Sequence, residues 1–420
     1  MSQDAVSEAA TAGGVTWPSR RVPTGWRLVV VVGSLSLLGP LCIDMYLPAF
    51  PSISRDLHAD ASHVQLTLTA CLIGISLGQL LVGPISDRVG RRPPLLAGLA
   101  VFVASSVACA FAPNIYALLA FRYFEGLGGA AGIVIAQSIV RDLHSGVALV
   151  RFLSTLMLMI GLGPILAPQI GSLTLSFATW RGVFLVLVGF GLLLLLTTWW
   201  RVPETLVPEL RVSGSVWSTL ATMISVCRDR VFLGYALSCG LALGGTFAYV
   251  AGSSFVLQNV YRLSTGIYGL VFALNACGLI VGAQLNGRWT SRYGPTTLLT
   301  GGLITMVTAG ALLVTIVASG ALGLIGVVPS MVLFMFGGGF VFPSASGLAL
   351  HRYPQSAGAA SAVLGSFQFL LGSAIAPLAG AGGNADALPM ALLMLTLPIA
   401  ALGCRLLGGT GDAMAESPPS

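Results

Sequence analysis

From residue 26 to about residue 408 the chain repeats one pattern: a long apolar run, then a few polar residues, then another run. About 20 consecutive apolar residues cross the hydrocarbon core of a bilayer as a helix. The pattern predicts twelve transmembrane helices, beginning near residues 26, 63, 94, 115, 150, 180, 231, 264, 295, 320, 356 and 385. The longest polar connection, residues 201–230, holds Pro203, Pro208, Ser213, Gly214 and seven charges, and it divides six spans from six. It reads as a linker with room for a short amphipathic surface helix. The predicted architecture is an all-α integral membrane protein of two six-helix bundles, residues 26–200 and 231–408. Polar tails at 1–25 and 409–420 are expected to be disordered.

The polar breaks carry a second regularity. Between spans two and three lies Gly83-Pro-Ile-Ser-Asp87-Arg88-Val-Gly90-Arg91-Arg92, which reads as a tight turn with its charges in water. Adding 204 to those positions gives Gly287, Ser291, Arg292 and Gly294, so the spacing Gly-x3-[Asp/Ser]-Arg-x-Gly occurs once in each half. Ser291 stands for Asp87 and Pro295 for Arg91. An echo half a chain apart predicts two similar bundles, as in transporters built from repeats.

Composition sharpens this picture. Only 8% of the 420 residues are charged and 55% are hydrophobic, a balance that calls for lipid as solvent. All 20 basic residues are arginine, which excludes a phosphate-binding P-loop and any lysine nucleophile. The net charge of +6 is spread over helix ends, so nucleic acid is not an expected partner. With the N-terminus inside, sixteen arginines fall on the cytoplasmic face and three, Arg55, Arg181 and Arg262, outside. That bias places both termini in the cytoplasm. The seven cysteines form no CxxC or Cys/His cluster, and the four histidines are dispersed, so neither a metal site nor a disulfide framework is expected.

Charge inside a span costs about 2.5–3.5 kcal/mol on insertion scales and therefore faces a cavity or a partner. Asp44 lies in the first span within Pro40-Leu-Cys-Ile-Asp44-Met-Tyr46-Leu-Pro48, and Arg122 and Glu125 share a face of the fourth. If the first span ends near Phe50, Asp44 lies about 9 Å deep, Arg122 about 10 Å and Glu125 about 15 Å. Asp44 and Arg122 are then able to meet, and movement of one from the other would load and unload a proton. A permanent Arg122–Glu125 ion pair, with Asp44 hydrogen-bonded at the helix mouth, is the structural alternative. In the fifth span Gly161-Leu-Gly163-Pro164-Ile-Leu-Ala-Pro168-Gln-Ile-Gly171 reads equally as a packing kink or a moving part. Phe247 to Gln258 in the seventh mixes aromatics with small polar residues, which suits a cavity wall or ordinary packing. Tyr46, Tyr249 and Phe255 are the candidate cavity residues.

Together these stretches resemble the major facilitator superfamily and, within it, the Bcr/CflA drug-resistance subfamily of proton-coupled exporters. The resemblance covers residues 26 to about 408 and implies the major facilitator fold. The Gly83–Arg92 loop is similar to the superfamily's signature, whose acid and arginines help close the cytoplasmic side. The implied gate residues are Gly83, Asp87, Arg88, Gly90, Arg91 and Arg92. Arg122 to Gly132 resembles the fourth-span motif whose arginine is tied to proton coupling. Glu125 departs from that motif, where glutamine is usual, and reads as a second proton site, a determinant of cation tolerance, or a partner of Arg122. Gly161 to Gly171 is similar to the antiporter motif and implies export. Asp44 to Ala49 and Phe247 to Gln258 resemble subfamily signatures, which imply a coupling role for Asp44.

The leading expectation is therefore a secondary transporter exchanging protons for small amphiphilic drugs by alternating access. It needs no cofactor beyond the proton gradient and works as a monomer in the inner membrane. Proton-coupled uptake of a nutrient or organic acid is the alternative. A membrane-embedded enzyme or sensor would show clustered catalytic residues or a soluble domain, and the sequence has neither.

Overall fold

The computed structural model describes residues 26–144, 146–211, 223–353, 357–381 and 386–408. The tails predicted to be disordered, and the middle of the linker with its surface helix, lie outside the described residues. Eleven stretches are long and apolar enough to cross a membrane, and the helix Gly146–Leu175, apolar over Met159–Leu175, supplies a twelfth. No strand occurs among the described residues.

In chain order the helices are α1 (Trp26–Ser36), α2 (Leu38–Asp44), α3 (Phe50–Asp56), α4 (Ala61–Val89), α5 (Arg92–Ala110), α6 (Ile115–Leu143), α7 (Gly146–Leu175) and α8 (Trp180–Arg201). The second half holds α9 (Arg230–Phe255), α10 (Thr265–Tyr293), α11 (Pro295–Ser319), α12 (Gly323–His351), α13 (Ala357–Ile375) and α14 (Leu388–Gly408). The twelve spans start within about four residues of their predicted positions. Side-chain caps explain several starts: Asp60, Asn114, Asp229 and Ser264 each accept a hydrogen bond from a backbone N–H of the first turn.

The first span is built from three helical pieces, α1 to α3, and it runs to Asp56 rather than ending near Phe50. Pro48 and Pro51 look like terminators in sequence, but each occupies the first turn of a new helical piece, where a missing N–H costs nothing. Pro48 sits in the short 3-10 turn Leu47–Ala49 that joins α2 to α3. The break between spans two and three is also shorter than expected. Helix continues through Pro84 to Val89, so Gly83 to Arg88 form the last turns of α4 and only Gly90 and Arg91 make the bend.

Packing repeats between the halves. In the first, α4 packs on α6, α5 on α6 and α5 on α8; in the second, α10 packs on α12, α11 on α12 and α11 on α14. Across the divide α4 meets α13 while α10 meets α7, again a symmetric exchange. The bundles are thus two copies of one arrangement joined along two crossed pairs.

Hydrogen bonds along this seam run from side chains to backbone carbonyls. Thr69 donates to Ser373 O (2.8 Å), Gln65 to Ala251 O (3.1 Å) and Ser172 to Thr265 O (2.9 Å). Ser254 donates to Leu47 O (2.6 Å) and Gln258 to Pro48 O (3.2 Å). Pro48 has no N–H and cannot pair with a carbonyl one turn back, so this broken stretch has backbone acceptors to spare. These contacts gather toward the face that carries Arg55 and Arg181. There Asp56 ties α3 to α8 by accepting from Trp180 (2.9 Å) and Arg181, beside a cleft of about 370 Å³ that Gln258 and Thr265 also line.

Candidate functional site

Asp44 is the last residue of α2 and is only 6% exposed. It stands twelve residues from the end of the span at Asp56, about 18 Å along the helix, and so lies deeper than the sequence estimate. No hydrogen bond or ion pair reaches its carboxylate among the described residues.

The fifth-span motif explains how α7 comes so close to this point. A side chain at Gly163 would meet Pro40 at 2.4 Å, and one at Gly171 would meet the Met45 carbonyl at 1.9 Å. These two glycines press α7 against the first span on either side of Asp44. Pro164 and Pro168 are both inside α7, and Gly161 looks toward Ile280 of the other half.

Arg122 and Glu125 form an ion pair, and both are fully buried. Arg122 also donates to the Cys42 carbonyl (2.7 Å), and its guanidinium lies 4.1 Å from the centre of the Tyr46 ring. Glu125 accepts from Ser106 (2.7 Å). The structure therefore brings Arg122 to Glu125 and to the backbone two residues before Asp44, and not to the Asp44 carboxylate. Opening so deep a pair would leave a bare charge, at a cost of about 3–5 kcal/mol. Cys42 and Cys71 are free thiols with sulfurs 3.8 Å apart beneath this pair. No cluster of three or more metal-ligating side chains exists among the described residues.

The candidate cavity residues are packed away here. Tyr46 and Tyr249 are fully buried and Phe255 is 3% exposed, with Phe255 against Phe50 across the seam at 5.9 Å between ring centres. Beyond Phe255 the helix widens into one π-turn, Val256–Val260, which carries Gln258 to the Pro48 carbonyl.

At the opposite, arginine-rich face the 83–92 stretch is wired into its own half. Arg91 binds Asp87, Asp142 (2.8 Å) and Ser86 (2.8 Å), and the two carboxylates keep its guanidinium charged beyond the ordinary arginine range despite partial burial. Arg92 donates to Trp199 O (2.7 Å), while Arg88 is exposed. Glu204, at the start of the linker, accepts from the backbone N–H groups of Arg91 (2.7 Å), Arg92 (3.1 Å), Thr205 (3.1 Å) and Leu206 (3.1 Å). Gly90 completes the bend at φ 101°, a conformation open to glycine.

Asp142 and Glu204 are absent from the sequence reading. Their link to Arg91 spans 51 and 113 residues, and no local spacing reveals it.

The comparisons with known proteins agree with this geometry. The family model described as Major Facilitator Superfamily matches residues 32–377. An uncharacterized MFS-type transporter of Bacillus subtilis, YdgK, is 42% identical over 90% of this chain and 94% of its own length. A bicyclomycin resistance protein homolog of Haemophilus influenzae is 30% identical over 87% of this chain and 92% of its own. In fold, a bacterial homolog of the lysosomal transporter Spinster superposes with a TM-score of 0.74 at 14% identity, over 94% of this chain and 99% of that one. On its repeated bundles, its family match and its resistance-protein relatives, this chain belongs to the Major Facilitator Superfamily as a multi-pass membrane transporter of the drug-resistance group.

Proposed function

We propose that the protein exports small amphiphilic compounds across the inner membrane in exchange for protons, by alternating access of a central site. One observation carries this reading: of the two carboxylates deep in the membrane, Glu125 is paired and Asp44 is not. An unpaired carboxyl takes up a proton without breaking an ion pair. Asp44 lies one turn before Leu47 and Pro48, where the second half binds the first span, so its charge state bears on how the halves meet. Arg122 and Glu125 then act as a fixed frame that holds the Cys42 carbonyl and orients the turn below Asp44.

The segregation of arginines to one face supports placing that face, and both termini, in the cytoplasm. Most of the interhalf hydrogen bonds lie toward the other face, which supports reading this arrangement as one closed to the outside. Export from a panel of resistance-type compounds accords with the names of the relatives. A proton entering down about 100 mV and one pH unit supplies about 3.7 kcal/mol, enough for a several-hundredfold gradient of a neutral compound. Coupling requires that protonation favour one arrangement of the halves over the other.

The test is reconstitution in vesicles with a trapped pH dye. Compound-dependent proton flux is expected in the wild type and is expected to vanish in Asp44→Asn. Flux that persists in Asp44→Asn moves coupling to another group. Proton movement driven only by a sugar or organic acid makes the protein an uptake carrier.

A further inference from the structure

Each crossing that joins the halves carries a glutamine seated on a glycine. Where α4 meets the span of α13, Gln65 lies over Gly380, the last residue of the 3-10 turn Ala376–Gly380. A side-chain carbon on that glycine would run into Gln65 Oε1 and stand 2.9 Å from its Cδ. Where α7 meets α10, Gln169 lies over Gly269, and the same carbon would stand 3.1 Å from Oε1 and 3.2 Å from Nε2. Gln65 is the fifth residue of α4 and Gly269 the fifth of α10, separated by the offset of 204 that relates the two bends. One position of the repeat therefore holds the large residue in the first half and the small one in the second. The partner helices hold the converse.

Neither seat has room to spare. Gln65 is fully buried and its Nε2 donates to Ala251 O at 3.1 Å, so the amide is held against Gly380. Beside Gly269 stands Ser172 Oγ, which would meet the added carbon at 3.0 Å and is fixed by its 2.9 Å bond to Thr265 O. A residue larger than glycine at either place pushes the halves apart, because close-packed interfaces absorb added volume poorly. Each glutamine also keeps one amide atom unpaired. Gln65 Oε1 and Gln169 Nε2 are buried with no hydrogen-bond partner among the described residues. Water satisfies such atoms once the halves part, so closure gives up two hydrogen bonds that opening returns.

We infer that Gln65 on Gly380 and Gln169 on Gly269 are paired catches of the closure between the halves: fit holds each glutamine in its seat, and its unpaired amide atom favours release. Both glutamines are positioning residues for transport. The inference rests on the alternating-access part of the proposed function, since a closure that must open needs two arrangements of similar free energy.

The experiment follows hydrogen–deuterium exchange by mass spectrometry in the purified full chain in detergent, at peptides covering 47–56 and 251–260, whose amides meet water when the halves part. Gly380→Ala is expected to speed exchange there about tenfold, and Gly269→Ala, with its looser seat, about threefold. Gln65→Ala speeds exchange as well, by removing the bond to Ala251 O. Combined with Gly380→Ala it is expected to give less than the product of the two effects, whereas Gln169→Ala combined with Gly380→Ala gives the product. Gln169→Met, which keeps the length and removes the unpaired N–H, is expected to slow exchange about threefold. If Gly380→Ala does not fold, Gly269→Ala and Gln169→Ala are put through the same cycle. Wild-type exchange in the glycine variants, a simple product for Gln65 with Gly380, or faster exchange in Gln169→Met overturns the catches. Coupling in the cycle without compound-driven proton flux keeps the catches and removes export. Flux together with independent variants does the reverse.

Discussion

The bends at Gly90 and Gly294 share one motif and differ in wiring. Both glycines have positive φ, 101° and 75°, and both follow a long second helix of their half. Around Gly90 stand Glu204, with four backbone N–H groups on its carboxylate, and Arg91 between Asp87 and Asp142. Around Gly294 there is open space: an added side-chain carbon would meet nothing within 4 Å. Ser291 and Pro295 remove the acid and the arginine that would rebuild the first arrangement, and among the described residues Arg292 reaches only the ring of Tyr293. The second half ties its arginine-rich end elsewhere, through Asp229, which caps α9 and accepts from Arg352 (3.1 Å) and Tyr353 (3.0 Å). A repeated backbone turn thus survives the loss of its charges, because the turn depends on glycine and the wiring depends on distant partners.

The largest contrast between the halves is expected from their arginines. Arg91→Met leaves Asp142, whose side chain is 14% exposed, without its cation, and should cost about 3 kcal/mol. Arg292→Met should stay within about 0.5 kcal/mol. Thermal unfolding of the detergent-solubilised protein measures both, and equal losses would break the comparison.

A smaller contrast separates the glycines. Gly90→Ala combines a strained φ with a clash at 2.3 Å on the Glu204 carboxylate, and should cost about 2–3 kcal/mol. Gly294→Ala meets strain alone, about 1 kcal/mol. Adding Glu204→Ala to Gly90→Ala should recover part of the excess, which isolates the clash.

The smallest effect belongs to Asp229 and appears only in acid. Burial raises its carboxyl, but hydrogen bonds from Val231 N–H and Tyr353 and the charge of Arg352 outweigh burial and hold it below the usual aspartate value of 3.8. Since the folded value lies below the unfolded one, its stabilisation is complete above about pH 4 and drains away as pH falls through the folded value. Asp229→Asn should therefore lose under about 1 kcal/mol near neutrality and lie closer to wild type at pH 3. A gap that widens in acid would contradict this.

The twelve spans and the twofold repeat are legible in sequence because lipid forces each crossing to declare itself as a long apolar run. Helix continuity across Pro48, Pro51 and Pro84 is not legible, because a proline reads as a stop, whereas Pro48 and Pro51 open new helical pieces and Pro84 lies inside α4. Asp44, Arg122 and Glu125 stand out as charges in apolar surroundings, but which of them pair depends on side-chain reach across helices. The Arg122–Glu125 partnership was among the local options, three residues apart. The isolation of Asp44 is set by how the helices around it meet and leaves no trace in local spacing.

The seam between the bundles has a consequence for substitution. Its bonds from Gln65, Thr69, Ser172, Ser254 and Gln258 all end on main-chain carbonyls. A carbonyl stays in place whatever side chain its residue carries. Half of each contact is therefore independent of side-chain identity, so a substitution at Leu47, Ala251, Thr265 or Ser373 that keeps the packing leaves the acceptor of the closure in place.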